Sequence, residues 1–95
     1  MIDDINNKID IEAEVNFLDF CKKQVVEYSN SRSEKAITKE DVYVVWSCKT
    51  LQNNKALLGT TLPDGMYYEI TYNGDKKEAY FDAYSKVANI CIPCK

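Results

Sequence analysis

The sequence predicts an α+β domain: two N-terminal helices packed on a three-stranded antiparallel meander, with a short C-terminal helix. Three observations carry this expectation. An early stretch repeats apolar residues every three or four positions, and a helix-start signal at Thr38 precedes a second apolar run. Two turn sequences, Leu62-Pro63-Asp64-Gly65 and Asn73-Gly74-Asp75-Lys76, then divide the remainder into short strands.

In the first helix, from about Asp10 to Ser29, Val15, Leu18, Cys21, Val25 and Tyr28 form an apolar stripe, with acidic residues early and Lys22 and Lys23 later, as the helix dipole favours. The polar cluster Ser29 to Ser33 ends it. Thr38 then caps a second helix running to about Leu51, with Asp41 completing a short capping box. Its interior, VYVVW, is rich in β-branched and aromatic residues, so propensity alone equally allows a strand from Val42 to Trp46. The cap and the set Val42, Val45, Trp46 and Lys49 favour a buried central helix, and so apolar a helix in so small a domain invites cover by a second copy in a homodimer.

Lys55 to Leu62 and Met66 to Tyr72 read as strands, and the Asn73-Gly74 turn leads into a third. A register opposing Ile70 to Ala79, Tyr68 to Phe81 and Thr71 to Glu78 sets apolar against apolar. It gives a core face of Tyr68, Ile70, Ala79 and Phe81, and an outer face of Tyr67, Glu69, Thr71, Glu78 and Tyr80. Asp82 caps the final short helix, Ala83 to Asn89, with a continued strand as the alternative.

Ninety-five residues support one domain, 1–95, with residues 1–9 as a flexible N-terminus. The 45% apolar share and the many aromatics exclude a disordered chain. A net charge of −3 and a pI near 4.9 disfavour general affinity for nucleic acid. The acidic start lacks the features of a secretory signal, and no stretch is apolar for long enough to span a bilayer, so the expected location is the host cell cytoplasm, without membrane association. Cys21 and Cys48 then read as small buried hydrophobes, reduced in that compartment.

The stretches VYVVWSCKTLQNNKALLGTT and PDGMYYEITYNGDKKEAYFDAY, and in particular the motifs KTLQN, DGMYYE and YNGDKKE, resemble an uncharacterised family of small proteins encoded by phages and prophages of Gram-positive bacteria. The match covers roughly the last six-tenths of the chain. The resemblance implies a genomic setting rather than a mechanism.

No catalytic, metal or cofactor constellation is expected. The chain has no histidine, which removes the commonest general base and metal ligand. Cys91-x-x-Cys94 has redox or half-zinc spacing but no companion pair, and the incidental reading is preferred. Glu69 with Glu78 or Asp82 is the nearest acid/base candidate, though two solvated carboxylates explain it more simply. Gly59, Gly65 and Gly74 are isolated and make no phosphate loop.

Two binding surfaces remain. Tyr67, Glu69, Thr71, Tyr72, Asn73, Asp75, Lys76, Lys77 and Tyr80 combine amphipathic rings with adaptable polar groups on the hairpin, a mixture suited to an unidentified host or phage protein. Lys49, Gln52, Asn53, Asn54 and Lys55, near Trp46, form a candidate nucleic-acid patch at the end of the second helix, where capping is the simpler explanation. The leading expectation is a small non-enzymatic accessory protein acting by protein binding; the alternative is a nucleic-acid-associated replication or regulatory accessory.

Overall fold

The computed structural model describes residues 14–95. One helix, α1 (Glu14–Arg32), is followed by a single 3-10 turn (Lys39–Asp41) and by β1 (Val42–Thr50), β2 (Asn53–Thr60), β3 (Met66–Asn73) and β4 (Glu78–Ser85). The strands make one antiparallel sheet in the order β1-β2-β3-β4. The α+β class is as expected, but with one helix and four strands among the described residues. The expected flexible residues 1–9, and a helix start at Asp10, lie outside the described residues.

The buried line of α1 is Phe17, Cys21, Val25 and Ser29, four residues apart, flanked by the partly buried Leu18, Phe20 and Tyr28. It packs on β1 and β2. Full burial of side chains such as Phe17 and Val25 contributes about 1.5–3 kcal/mol each. The helix outlasts its expected end because Ser33 N–H still donates to the Ser29 carbonyl at 3.0 Å, and Ser31 Oγ donates back to the Tyr28 carbonyl at 2.7 Å. From the last turn of α1, Asn30 clasps Ile37 in the loop beyond: its Nδ2 donates to the Ile37 carbonyl at 3.1 Å and its Oδ1 accepts from the Ile37 N–H at 2.9 Å. Ile37 is thereby seated in the core.

The expected second helix is not formed. Thr38 and Asp41 do make a start motif, with Asp41 Oδ2 accepting from Thr38 N–H at 2.9 Å, but only one 3-10 turn follows. From Val42 the backbone is extended and pairs with β2 over the whole of β1. The β-branched run settles into the pleated state that its side chains prefer once a partner strand is present. A bulge between Val44 and Trp46 interrupts the strand. The extra residue breaks the two-residue alternation, so the less exposed positions fall at Val42, Val44 and Ser47, while Val45, Trp46 and Lys49 of the expected helical set are exposed.

The last two strands differ from expectation in register. Ile70 opposes Phe81, Tyr68 opposes Ala83, Tyr72 opposes Ala79 and Thr71 opposes Tyr80. The slip of two residues leaves each side chain on its expected face, because side chains alternate with period two. Tyr68 and Phe81 still meet diagonally, with ring centroids 5.6 Å apart, and Tyr28 of α1 closes the cluster at 5.7 and 5.2 Å from them. The expected C-terminal helix from Ala83 to Asn89 is absent. Asp82 is not a cap but a ladder residue opposite Glu69, β4 runs on to Ser85, and 86–95 carry no regular structure.

The turns use side chains as well as glycine. Gly65 has φ +70, and Asp64 Oδ1 accepts from Met66 N–H at 3.1 Å. At the β3–β4 tip the left-handed residue is Lys77, φ +57, rather than Gly74. Asn73 Oδ1 receives the Asp75 and Lys76 amides at 3.0 and 3.2 Å, an Asx turn. Gly74 is needed for space, since a Cβ there would strike the Gln52 carbonyl oxygen of the neighbouring hairpin.

Candidate functional site

Because α1 lies on one face of the sheet, the inward residues Ala56, Leu58, Tyr68, Ile70 and Tyr72 are buried, and the residues between them point to the other face. Strand register arranges that second face in rows. Tyr43, Gly59, Tyr67 and Tyr84 form one; Trp46, Leu57, Glu69 and Asp82 the next; Cys48, Lys55, Thr71 and Tyr80 the third. Tyr43, Trp46, Tyr80 and Tyr84 are each 42–50% exposed. The result is an open, slightly ridged surface of rings around a polar centre.

The first row is built on a glycine. Tyr43 lies across Gly59 so closely that a Cβ at Gly59 would sit 2.6 Å from its Cζ and hydroxyl. The ring reaches Tyr67, and desolvation, followed by the Tyr67 hydroxyl, pushes the Tyr43 pKa up. Lys86 Nζ stands 5.6 Å from the centroid of the Tyr67 ring. In the centre, Glu69 meets Lys55 Nζ at 3.6 Å and receives the Tyr84 hydroxyl at 3.3 Å. Asp82 and Glu69 raise the Tyr84 pKa, and a 2.6 Å hydrogen bond to Glu78 raises that of Tyr80. Both hydroxyls therefore stay protonated as donors across the neutral range.

Of the expected binding residues, Tyr67, Glu69, Thr71 and Tyr80 lie on this face. Tyr72 does not: β3 continues through Asn73, so Tyr72 keeps the inward parity of Tyr68 and Ile70 and is buried opposite Ala79. Asn73 is half-buried in its turn, while Asp75, Lys76 and Lys77 are exposed at the hairpin tip. The expected nucleic-acid patch is not a helix end. Lys49 is near the end of β1, Gln52 is in the β1–β2 turn, and Asn53 and Lys55 are on β2. Gln52 Nε2 donates to Asp75 Oδ1 at 2.5 Å and Gly74 N–H donates to Asn53 Oδ1 at 2.9 Å, so the two hairpin tips lie side by side. Asn54 is buried rather than presented.

Tyr43, Trp46, Leu57 and Tyr84 belong to the face but were not expected there. Assigning Tyr43 and Trp46 to a helix, and Tyr84 to a terminal one, hid them; the strand alternative at Val42 to Trp46 was the available signal. Cys48 is likewise exposed rather than buried, whereas Cys21 is enclosed as expected, and burial pushes its thiol pKa up to about 12. Cys91 and Cys94 are exposed free thiols.

Chemically the face offers donors, acceptors and half-exposed rings. Two hollows lie elsewhere: a cleft of about 280 Å³ at the end of α1 lined by Tyr28, Ser29, Arg32, Asp64 and Met66, and a groove between α1 and Phe81. Glu69, Glu78 and Asp82 line neither of these two. Among the described residues no three His, Cys, Asp or Glu side chains gather in a metal-binding group, and no helix is long and apolar enough to cross a membrane.

The chain belongs to a family of unknown function (DUF6275), which it matches over residues 18–94. That span contains the sheet and most of α1. Neither a curated protein nor a solved structure matches the chain.

Proposed function

We propose that this chain is a small non-enzymatic accessory protein that works by holding another protein against the open face of its sheet. The observation that carries the reading is the placement of Tyr43, Trp46, Tyr80 and Tyr84, half-exposed on the face that α1 does not cover. Rings on a rigid sheet give contact area at low entropic cost, and tyrosine and tryptophan are enriched among the residues that dominate binding energy. Glu69, held by Lys55 and Tyr84, supplies an oriented polar centre.

Glu69, Glu78 and Asp82 make the face unwelcoming to a phosphate backbone, and Lys55 is already engaged with Glu69. A protein partner is therefore the better fit. The resemblance of DGMYYE and YNGDKKE to phage and prophage proteins supports a phage setting, in which the partner is a host factor redirected or inhibited in the cytoplasm, or another phage protein.

The test is affinity capture from host lysate with the native chain, with Tyr67→Ala combined with Tyr80→Ala, and with Lys23→Ala on α1 as a control. The double variant should keep its circular dichroism and lose the captured species, while the control retains it. Equal capture by the double variant would reject this face.

A further inference from the structure

The end of α1 and the turn joining β2 to β3 border the cleft of about 280 Å³, whose lining includes Tyr28, Ser29, Arg32, Asp64, Met66 and Tyr68. Two of these polar residues are deeply buried, Tyr68 at 2% exposure and Ser29 at 4%. Tyr68 packs its ring on Tyr28 and Phe81, with centroids 5.7 and 5.6 Å away, yet among the described residues its hydroxyl has no hydrogen-bond partner. A buried hydroxyl left unpaired is costly, so one that lines a cleft points to a polar occupant there. Burial, followed by the Asp64 charge, pushes the Tyr68 pKa up, and the group stays a donor across the neutral range.

The exposed walls carry opposite charges, Arg32 and Asp64, which make no ion pair with one another. The Arg32 guanidinium carbon lies 5.3 Å from the Tyr28 ring centroid, a contact that positions the group without giving it an anion. Asp64 accepts from Met66 N–H through Oδ1 at 3.1 Å, which leaves Oδ2 for a donor. A lone cation is opposed by Arg32 and a lone anion by Asp64, whereas a molecule carrying both signs is attracted by both walls. The volume falls below the range of about 300–1,000 Å³ usual for drug-sized ligands, so the occupant is small. Tyr28 and Met66, both half-buried, add apolar surface.

We propose that this cleft binds a small zwitterion, a free amino acid with an apolar side chain. Its carboxylate accepts from Arg32 and from the Tyr68 hydroxyl, its ammonium donates to Asp64, and its side chain lies against Met66 and Tyr28. A single protein side chain carries one charge at most, which separates this ligand from a partner held on the open sheet face. The cleft shares no residue with that face, so neither reading depends on the other.

The experiment titrates the full chain, labelled with nitrogen-15, with L-methionine and separately with L-leucine to about 20 mM, and follows the backbone amides by NMR. Saturable shifts are expected at Tyr28, Ser29, Arg32, Asp64, Met66 and Tyr68. N-acetyl-L-methionine, which lacks the ammonium, and L-methioninamide, which lacks the carboxylate, should each bind about tenfold more weakly or worse, the loss of one hydrogen bond to a charged group. Arg32→Gln and Asp64→Asn should each weaken L-methionine to the same degree. Both change exposed side chains, and Asp64→Asn keeps an acceptor for Met66 N–H, so the amide spectrum away from the cleft should be preserved. No saturable shift with either amino acid, shifts centred away from the cleft, or equal binding by the charge-deleted derivatives or by the two variants would each overturn the proposal.

Discussion

Removing the Asn30 clasp isolates the contribution of one side chain to the seating of the loop between α1 and β1. Asn30→Ala deletes both hydrogen bonds to Ile37, at 3.1 and 2.9 Å, each with a net value of about 0.5–1.5 kcal/mol. Ile37 is 5% exposed, so water replaces these partners poorly and the upper half of the range applies. A loss of about 2 kcal/mol, or roughly 10 °C in melting temperature, is expected by thermal unfolding. Asn30→Asp sharpens the test. It keeps an acceptor for the Ile37 N–H but turns an oxygen toward the Ile37 carbonyl, in the last turns of α1, where negative charge is disfavoured. The folded-state pKa of the introduced carboxyl is therefore raised above its unfolded value of about 3.9. The variant's penalty is complete above the folded pKa, shrinks as pH falls through it, and is absent below the unfolded value. Stability measured against Asn30→Ala at each pH should thus improve on acidification from 7 to about 3.5. An Asn30→Ala chain melting within about 2 °C of the native one, or an aspartate variant with no such pH trend, would refute the reasoning.

Gly59→Ala should displace the Tyr43 ring from Tyr67 while changing stability by less than about 1 kcal/mol, because the colliding atoms are the mobile end of an exposed side chain. The checks are the Tyr43 ring signals by NMR and a hydroxyl pKa that falls back toward its ordinary value as its cover is lost. Leu51 is 81% exposed at φ +57 in the β1–β2 turn, a conformation that costs an ordinary residue roughly 1–2 kcal/mol, so Leu51→Asn should raise the melting temperature by several degrees. A thiol reagent should modify Cys48, Cys91 and Cys94 promptly in the folded chain, and Cys21 only at the rate of unfolding. Rapid modification of all four would show that α1 does not seal its core stripe.

The first helix was legible because its signal is local: Cys21, Val25 and their neighbours recur at helical spacing, and the polar Ser29 to Ser33 cluster marks its end. The two turns were legible for the same reason, each carrying its own conformational chemistry in Pro63-Asp64-Gly65 and Asn73. The outward direction of Tyr67, Glu69, Thr71 and Tyr80 also followed, since period-two alternation survives a slip of two residues in register. The full binding face was harder to read. Tyr43 and Trp46 reach it only if β1 is a strand, and Tyr84 only if β4 outlasts the place where Asp82 resembles a helix cap.

From residue order alone come the α+β class, the inward stripe of α1, the turns and the alternation that points Tyr67 and Tyr80 away from the core. Packing between distant segments decided the rest. VYVVW is nearly degenerate between helix and strand until the β2 backbone supplies hydrogen bonds along its edge, and the bulge that realigns it has no counterpart in its own composition. Tyr72 could belong to a tip or a core, and its inward parity opposite Ala79 buried it in the core cluster. These outcomes depend on hydrogen-bonding partners and covering surfaces remote in sequence, which a local reading of side-chain preference does not contain.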